Sequence, residues 1–134
     1  MAKKSEQDIR FETEFFEGIL GYSPDFIEAL AALGDLYTRQ GEYHKGLAVD
    51  KKLAGLRPDE TVLYNLACSY SLTGDLSQAR QAMVQAVAMG YRDFVHLAQD
   101  PDLAGLLADA EFGRMLAQWQ AQFRKNTRRS RESV

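Results

Sequence analysis

The chain repeats itself with a period of 33 residues. The stretch Ala32-Leu33-Gly34-Asp35-Leu36-Tyr37, followed by Gly41 and Gly46, lies in register over Asn65-Leu66-Ala67-Cys68-Ser69-Tyr70, followed by Gly74 and Ala79. A fixed period of this length means that each copy is one supersecondary unit whose apolar face is completed by its neighbours. Each copy reads as helix, tight turn, helix. Gly34 and Ala67 are small where two helices must approach, Gly46 and Ala79 are small on the facing helix, and Tyr37 and Tyr70 fill the space between. Gly41 and Gly74 stand where the first helix ends and a positive φ is wanted.

Apolar spacing predicts helices over about 25–40, 43–56, 60–73 and 76–89. Ahead of them, Ile9, Phe11, Phe15, Phe16, Ile19 and Leu20 recur at close to a helical period and run into Gly21-Tyr22-Ser23-Pro24. This reads as a half repeat covering the first face of the stack. After Met89-Gly90-Tyr91 the pattern breaks. Asp100 before Pro101 is an N-cap with proline at the first helical position, and Asp109 is a second N-cap candidate. A final helix over about 110–124 places Phe112, Met115, Leu116, Trp119 and Phe123 on one stripe. A short stack depends on such end caps.

The repeated residues resemble the tetratricopeptide repeat: Leu33-Gly34, the aromatic Tyr37, the small Gly46 and the closing Pro58 fall on its signature positions. The segment after residue 90 is similar to the terminal segment that often closes bacterial chains of this family. Leu30 stands where Trp is commonest, Asp50 where a second aromatic is usual, and Tyr91 in place of the second copy's closing Pro. The resemblance implies an all-α solenoid, a right-handed superhelix of antiparallel helix pairs. Its parts are an N-terminal half repeat, full repeats at about 27–59 and 60–92, and a capping segment at 93–123, together one domain over 1–123.

The resemblance also implies a function: the concave face of such a stack holds a peptide or helix of a partner protein. Carried over by position, the groove residues are Glu28, Ala31, Asp35, Thr38 and Arg39 from the first copy and Thr61, Tyr64, Asn65, Cys68, Ser71 and Leu72 from the second. Tyr64 and Leu72 are the expected apolar anchors, with packing of Tyr64 on a neighbouring helix as the competing reading. The subset of the family that clamps chaperone C-termini is excluded. Asn65 matches its central Asn, but Ala31 and Asp35 occupy the places of its first Lys-x-x-x-Asn pair, and Asp35 would repel a carboxylate. Glu28 and Asp35 beside Arg39 favour a partner segment with some positive charge. A secretion-type chaperone for a client segment is the alternative on the same fold.

Composition narrows the classes further. At 134 residues the chain can bury a core as one domain. The one cysteine, Cys68, excludes an internal disulfide, has no basic sequence neighbour to activate it, and reads as a small residue between helices. No apolar run reaches the roughly 18 residues of a membrane span, and no leader pattern follows Lys3-Lys4, so a cytoplasmic location is expected. No phosphate-binding glycine loop, His-Glu-x-x-His or paired-cysteine spacing occurs, and His44 and His96 lie far apart in sequence. The expectation is a non-enzymatic adaptor without cofactor, metal or small-molecule substrate. Residues 1–123 carry 11 Lys and Arg against 18 Asp and Glu, whereas 124–134 carry five against one. This basic tail is expected to be disordered. It admits binding to nucleic acid or an anionic surface as a further alternative, and self-association through the half repeat is another.

Overall fold

The structure, a computed structural model, describes the backbone of residues 5–132 and the side chains of residues 5–124. Regular structure among the described residues is helical. In chain order the helices are α1 (Glu6–Tyr22), α2 (Ile27–Arg39), α3 (Tyr43–Leu56), α4 (Glu60–Leu72), α5 (Leu76–Ala88), α6 (Phe94–Gln99), a 3-10 turn (Pro101–Leu103), α7 (Ala104–Leu107) and α8 (Ala110–Glu132). Helices α1 to α5 pack each on the next, as short connections between helices require. The expected boundaries hold within a few residues.

Caps explain those boundaries. Asp59, Asp75, Asp93 and Asp109 each accept a backbone N–H three residues on, at 2.8, 3.2, 3.1 and 3.0 Å, opening α4, α5, α6 and α8. Gly41 and Gly74 close α2 and α4 at φ 75° and 85°. The third pair of helices is broken: α6 is six residues, α7 four, and the 3-10 turn that Asp100 caps lies between them.

The main core lies between α4, α5 and the C-terminal segment, where Leu63, Met83, Leu97, Leu103, Leu106 and Phe112 are buried together. Helix α4 is its hub, packing on α3, α5, α7 and the 3-10 turn. Arg80 of α5 donates to the Asp109 carboxylate at 2.9 Å and pairs with Glu111 at 3.5 Å, fixing the start of α8. At the other end, the Tyr37 hydroxyl donates to Glu17 and Gln40 Nε2 donates to Thr13 Oγ1 at 2.8 Å, clasping α1 to α2. Phe11 and Phe15, expected on the covering face of α1, point outward instead, 71% and 56% exposed. With Gly18 and Tyr22 they form a stripe of their own, because α1 carries more apolar residues than one neighbouring helix can cover.

The tail also departs from expectation. Where disorder is predicted from residue 124, α8 stays helical through Glu132. Arg, Lys and Glu are good helix formers, no Gly or Pro intervenes, and the packed first half of α8 supplies the nucleus. The rest of the expected tail, residues 133 and 134, lies outside the described residues.

The junction between the two repeats turns on Asp50. Its carboxylate is buried, accepts the Ser69 hydroxyl of α4 at 2.5 Å, and lies against Gly34 of α2. A Cβ on Gly34 would collide with Asp50 Oδ1. Gly34→Ala should therefore cost about 1–3 kcal/mol despite an intrinsic helix gain of about 1 kcal/mol. In an Asp50→Ala background the same change should cost nothing; urea unfolding of the four chains checks this, and an equal cost in both backgrounds would refute the collision.

Burial raises the Asp50 pKa from 3.8 to about 6, against the lowering effect of the Ser69 hydrogen bond. A carboxyl with a higher pKa in the native than in the unfolded chain holds its proton better when folded. Its stabilising contribution is fully present below about pH 4 and is lost as pH rises through about 6. At about 1.4 kcal/mol per pKa unit the loss approaches about 3 kcal/mol. Relative to wild type, Asp50→Asn should gain stability by up to that amount from about pH 4 to about pH 7; a difference that does not change with pH would contradict this.

Candidate functional site

Helices α2, α3 and α4 with the start of the C-terminal segment enclose a groove of about 280 Å³. Of the predicted groove residues, Ala31, Asp35, Thr38, Thr61, Tyr64, Asn65, Cys68 and Leu72 line it. Glu28 is exposed but outside the lining. Arg39 reaches the rim only through Asp35, which its Nε meets at 3.0 Å, with both side chains more than half exposed and the pair correspondingly weak. Ser71 faces the opposite way: it is buried, and its hydroxyl oxygen accepts the Leu106 N–H at 3.4 Å, docking α7 on α4.

Tyr64 is floor rather than free anchor. It is 6% exposed, its ring stacks on Tyr91 at 4.5 Å, and its hydroxyl donates to Asp100 Oδ2 at 2.6 Å. Tyr91 meets Phe94 edge to face, and Phe94 in turn stacks on Trp119 and Phe123, with the Arg92 guanidinium 3.7 Å from the centre of the Phe123 ring. This gives Tyr91 its role: in place of a closing proline it links the groove floor to α8. Leu72 is half-buried and remains available from the groove.

The residues missed by sequence reasoning are mostly acids. Asp50, Asp100 and Asp102 join Asp35 around the groove, with His96 beside them. Asp50 is visible in sequence as a misfit at an aromatic position. Asp100 is legible only as a cap, because its neighbours Tyr64 and Cys68 lie more than thirty residues earlier. One of its oxygens caps the Asp102 N–H at 3.0 Å; the other takes the Tyr64 hydroxyl and lies 3.4 Å from His96 Nε2.

These placements set the electrostatics. Burial first, then the charges of Asp100 and Asp35, raise the Asp102 pKa, the signature of carboxylates crowding one space. Burial and the nearby Asp100 and Asp102 carboxylates hold the Cys68 thiol far above its ordinary range, so it stays protonated and offers no nucleophile. Burial and the bond to Asp100 likewise keep the Tyr64 hydroxyl protonated, and burial pushes Tyr91 up to about 12. Among the described residues, no group of three or more His, Cys, Asp or Glu side chains is placed to hold a metal ion. No helix among them is long and apolar enough to cross a membrane.

Asp100 thus ties the irregular C-terminal segment to α4. Asp100→Ala should cost about 2–4 kcal/mol by removing two hydrogen bonds and stranding a buried hydroxyl, and Tyr64→Phe only about 1 kcal/mol. Chemical denaturation separates the two, and equal costs would place the stability elsewhere than in the carboxylate.

Comparison with known proteins agrees with this architecture. Residues 61–89, the span of α4 and α5, match the family model of the tetratricopeptide repeat. The chain is also similar to a chloroplastic protein of Arabidopsis thaliana, 26% identical over 125 residues, which are 90% of this chain and 32% of that protein. The chain therefore spans about a third of the length of that relative. Repeats of this family generally mediate protein–protein interaction. With helices α2 to α5 pairing in the register of the 33-residue period, the chain is an all-α helical-repeat protein whose α4–α5 pair matches the tetratricopeptide repeat.

Proposed function

We propose that the chain is an adaptor whose groove between α2 and α4 holds a segment of a partner protein that carries lysine or arginine. The observation that supports this reading is the ring of Asp35, Asp50, Asp100 and Asp102 around one concave space. Within this ring, among the described residues, a Lys or Arg partner is found at Asp35, and it is the exposed Arg39. A cation entering the groove relieves the repulsion that raises Asp102 and keeps Asp50 ionised. Leu72 offers an apolar contact for the aliphatic stem of such a side chain. Thr38, Thr61 and Asn65 offer hydrogen bonds to an extended backbone.

A chaperone for unfolded clients calls for a broad apolar surface, and an acidic groove of this size favours the adaptor over it. The name of the Arabidopsis relative assigns that protein to the chloroplast; for this chain, a soluble compartment such as the cytoplasm is part of the proposal.

Fluorescence anisotropy against peptides of matched length bearing Lys, Arg, Ala or Glu tests the reading. Lys and Arg peptides should bind best, and binding should weaken with salt and as pH falls through about 6, where Asp50 takes up its proton. An Asp35→Asn/Asp102→Asn variant should lose on the order of tenfold in affinity. Undiminished binding by that variant, or a preference for the Glu peptides, would overturn it.

A further inference from the structure

Helix α1 stands among the described residues as a second helix without a first. Placing Pro24 over Pro58 sets Glu12, Phe15 and Ile19 of α1 over Gly46, Val49 and Leu53 of α3, and the 33-residue period carries these on to Ala79, Ala82 and Ala86 of α5. The helices keep that register. Leu47 of α3 packs toward the core around α4, and its counterpart Thr13 on α1 accepts the Gln40 side chain at the end of α2. On α3 the three positions are buried or half-buried, with Gly46 against Thr38 and Tyr37 of α2; on α5 all three are buried as α5 packs on α4. In both full repeats this side of the second helix is covered by the first helix of the same repeat. On α1 the same side carries Phe15 at 56% exposure, continued by Phe11 and Tyr22 at 71% and 94%. At about 150–250 Å² per aromatic side chain the three present roughly 400 Å² of ring surface, comparable to the largest apolar patch of a typical monomer.

We infer that this side of α1 is a docking surface for an amphipathic helix of another protein, seated as the missing first helix and carrying Lys or Arg on its flanks. The repeat register supplies the helix, and charge supplies its sign. At about 100° per residue, Asp8 and Glu12 fall on one side of the ring stripe and Glu14 on the other, while Arg10 lies about a third of a turn away. A helix with cations along its edges meets these acids as it lays its apolar face on the rings. The same acids disfavour the other occupants. Two copies meeting through α1 would set carboxylates against carboxylates, and an anionic lipid surface would meet like charge. Side-chain size adds a requirement: Gly46 and Ala79 let their first helices approach closely, whereas Glu12 and Phe15 hold a visiting helix further off, so the best fit is a helix with small residues facing the rings. From Phe11 to Tyr22 the stripe runs about 16 Å, the reach of three helical turns. A contact of that length falls below the ~1,200 Å² at the lower edge of stable complexes, which sets Kd on the order of 10 µM. No α1 residue lines the groove between α2 and α4, and failure here would leave the reading of that groove intact.

The probe is a synthetic peptide of residues 27–39, the first helix α2 of this chain, carrying Glu28→Lys and Asp35→Lys. A shuffled peptide of the same composition breaks its apolar spacing. Fluorescence anisotropy at low salt should show the ordered peptide binding about tenfold more tightly than the shuffled one. Phe11→Ser/Phe15→Ser should weaken binding about tenfold and, since both side chains are exposed, leave the urea midpoint unchanged. Asp8→Asn/Glu14→Gln, which keeps the rings, should weaken binding about threefold and remove most of its salt dependence. Asp35→Asn/Asp102→Asn should leave binding unchanged, which separates this surface from the groove. No binding of the ordered peptide, equal binding of the shuffled one, undiminished binding by the Phe11/Phe15 variant, or loss of binding in the Asp35/Asp102 variant would each overturn the proposal. Self-association of the protein alone that Phe11→Ser/Phe15→Ser abolishes would also overturn it, by making a second copy the occupant.

Discussion

The buried carboxylate of Asp50 is the contact on which the arrangement of the repeats depends. It sits on α3, takes the hydroxyl proton of Ser69 on α4 in a hydrogen bond, and occupies the space that the missing side chain of Gly34 leaves on α2. Three helices from two repeats therefore meet at one group. An aromatic ring at that position would fill the same space through dispersion alone. A carboxylate fills it with a charge that burial makes costly, and Ser69 offsets only part of the cost. Burial therefore makes the junction sensitive to protons, and because Asp50 also lines the groove, the packing of the repeats and the groove share one group.

The second organising contact is Asp100. A helix of six residues, a 3-10 turn and a helix of four residues cannot stand alone. They are held because the Tyr64 hydroxyl reaches Asp100 from the groove floor, Ser71 receives the N–H of Leu106, and the rings from Tyr64 through Tyr91 and Phe94 run to Trp119 and Phe123. The same contacts bring Asp100 and Asp102 over α4. Closing the stack and making the groove acidic are thus consequences of one set of interactions.

The two end helices among the described residues, α1 and α8, differ in what they leave exposed. Helix α8 buries Phe112 and Leu116, half-buries Trp119 and Phe123, and turns the small residues Gly113, Ala117 and Ala121 outward. Helix α1 is tied on by polar clasps at Tyr37 and Gln40, while Phe11, Phe15 and Tyr22 stay in solvent. The asymmetry lies in apolar surface as well as in charge.

The sequence by itself determined the repeat, the helix boundaries and the caps. Those features rest on local rules: a positive φ at Gly41 and Gly74, an N–H within reach of Asp100 or Asp109, and apolar spacing along one helix. Eight of the eleven residues expected in the groove do line it, because position in a repeat fixes which way a first-helix side chain faces. What only the tertiary structure decided depends on pairs distant in the chain. Ser71 turns away because α7 needs an acceptor, Tyr64 becomes floor because Tyr91 and Asp100 arrive to cover it, and the α1 rings stay exposed because no described helix packs on that side. Nor does composition show that the basic stretch after residue 124 continues as helix, since its propensity is expressed only once the packed first half of α8 has overcome the cost of nucleation.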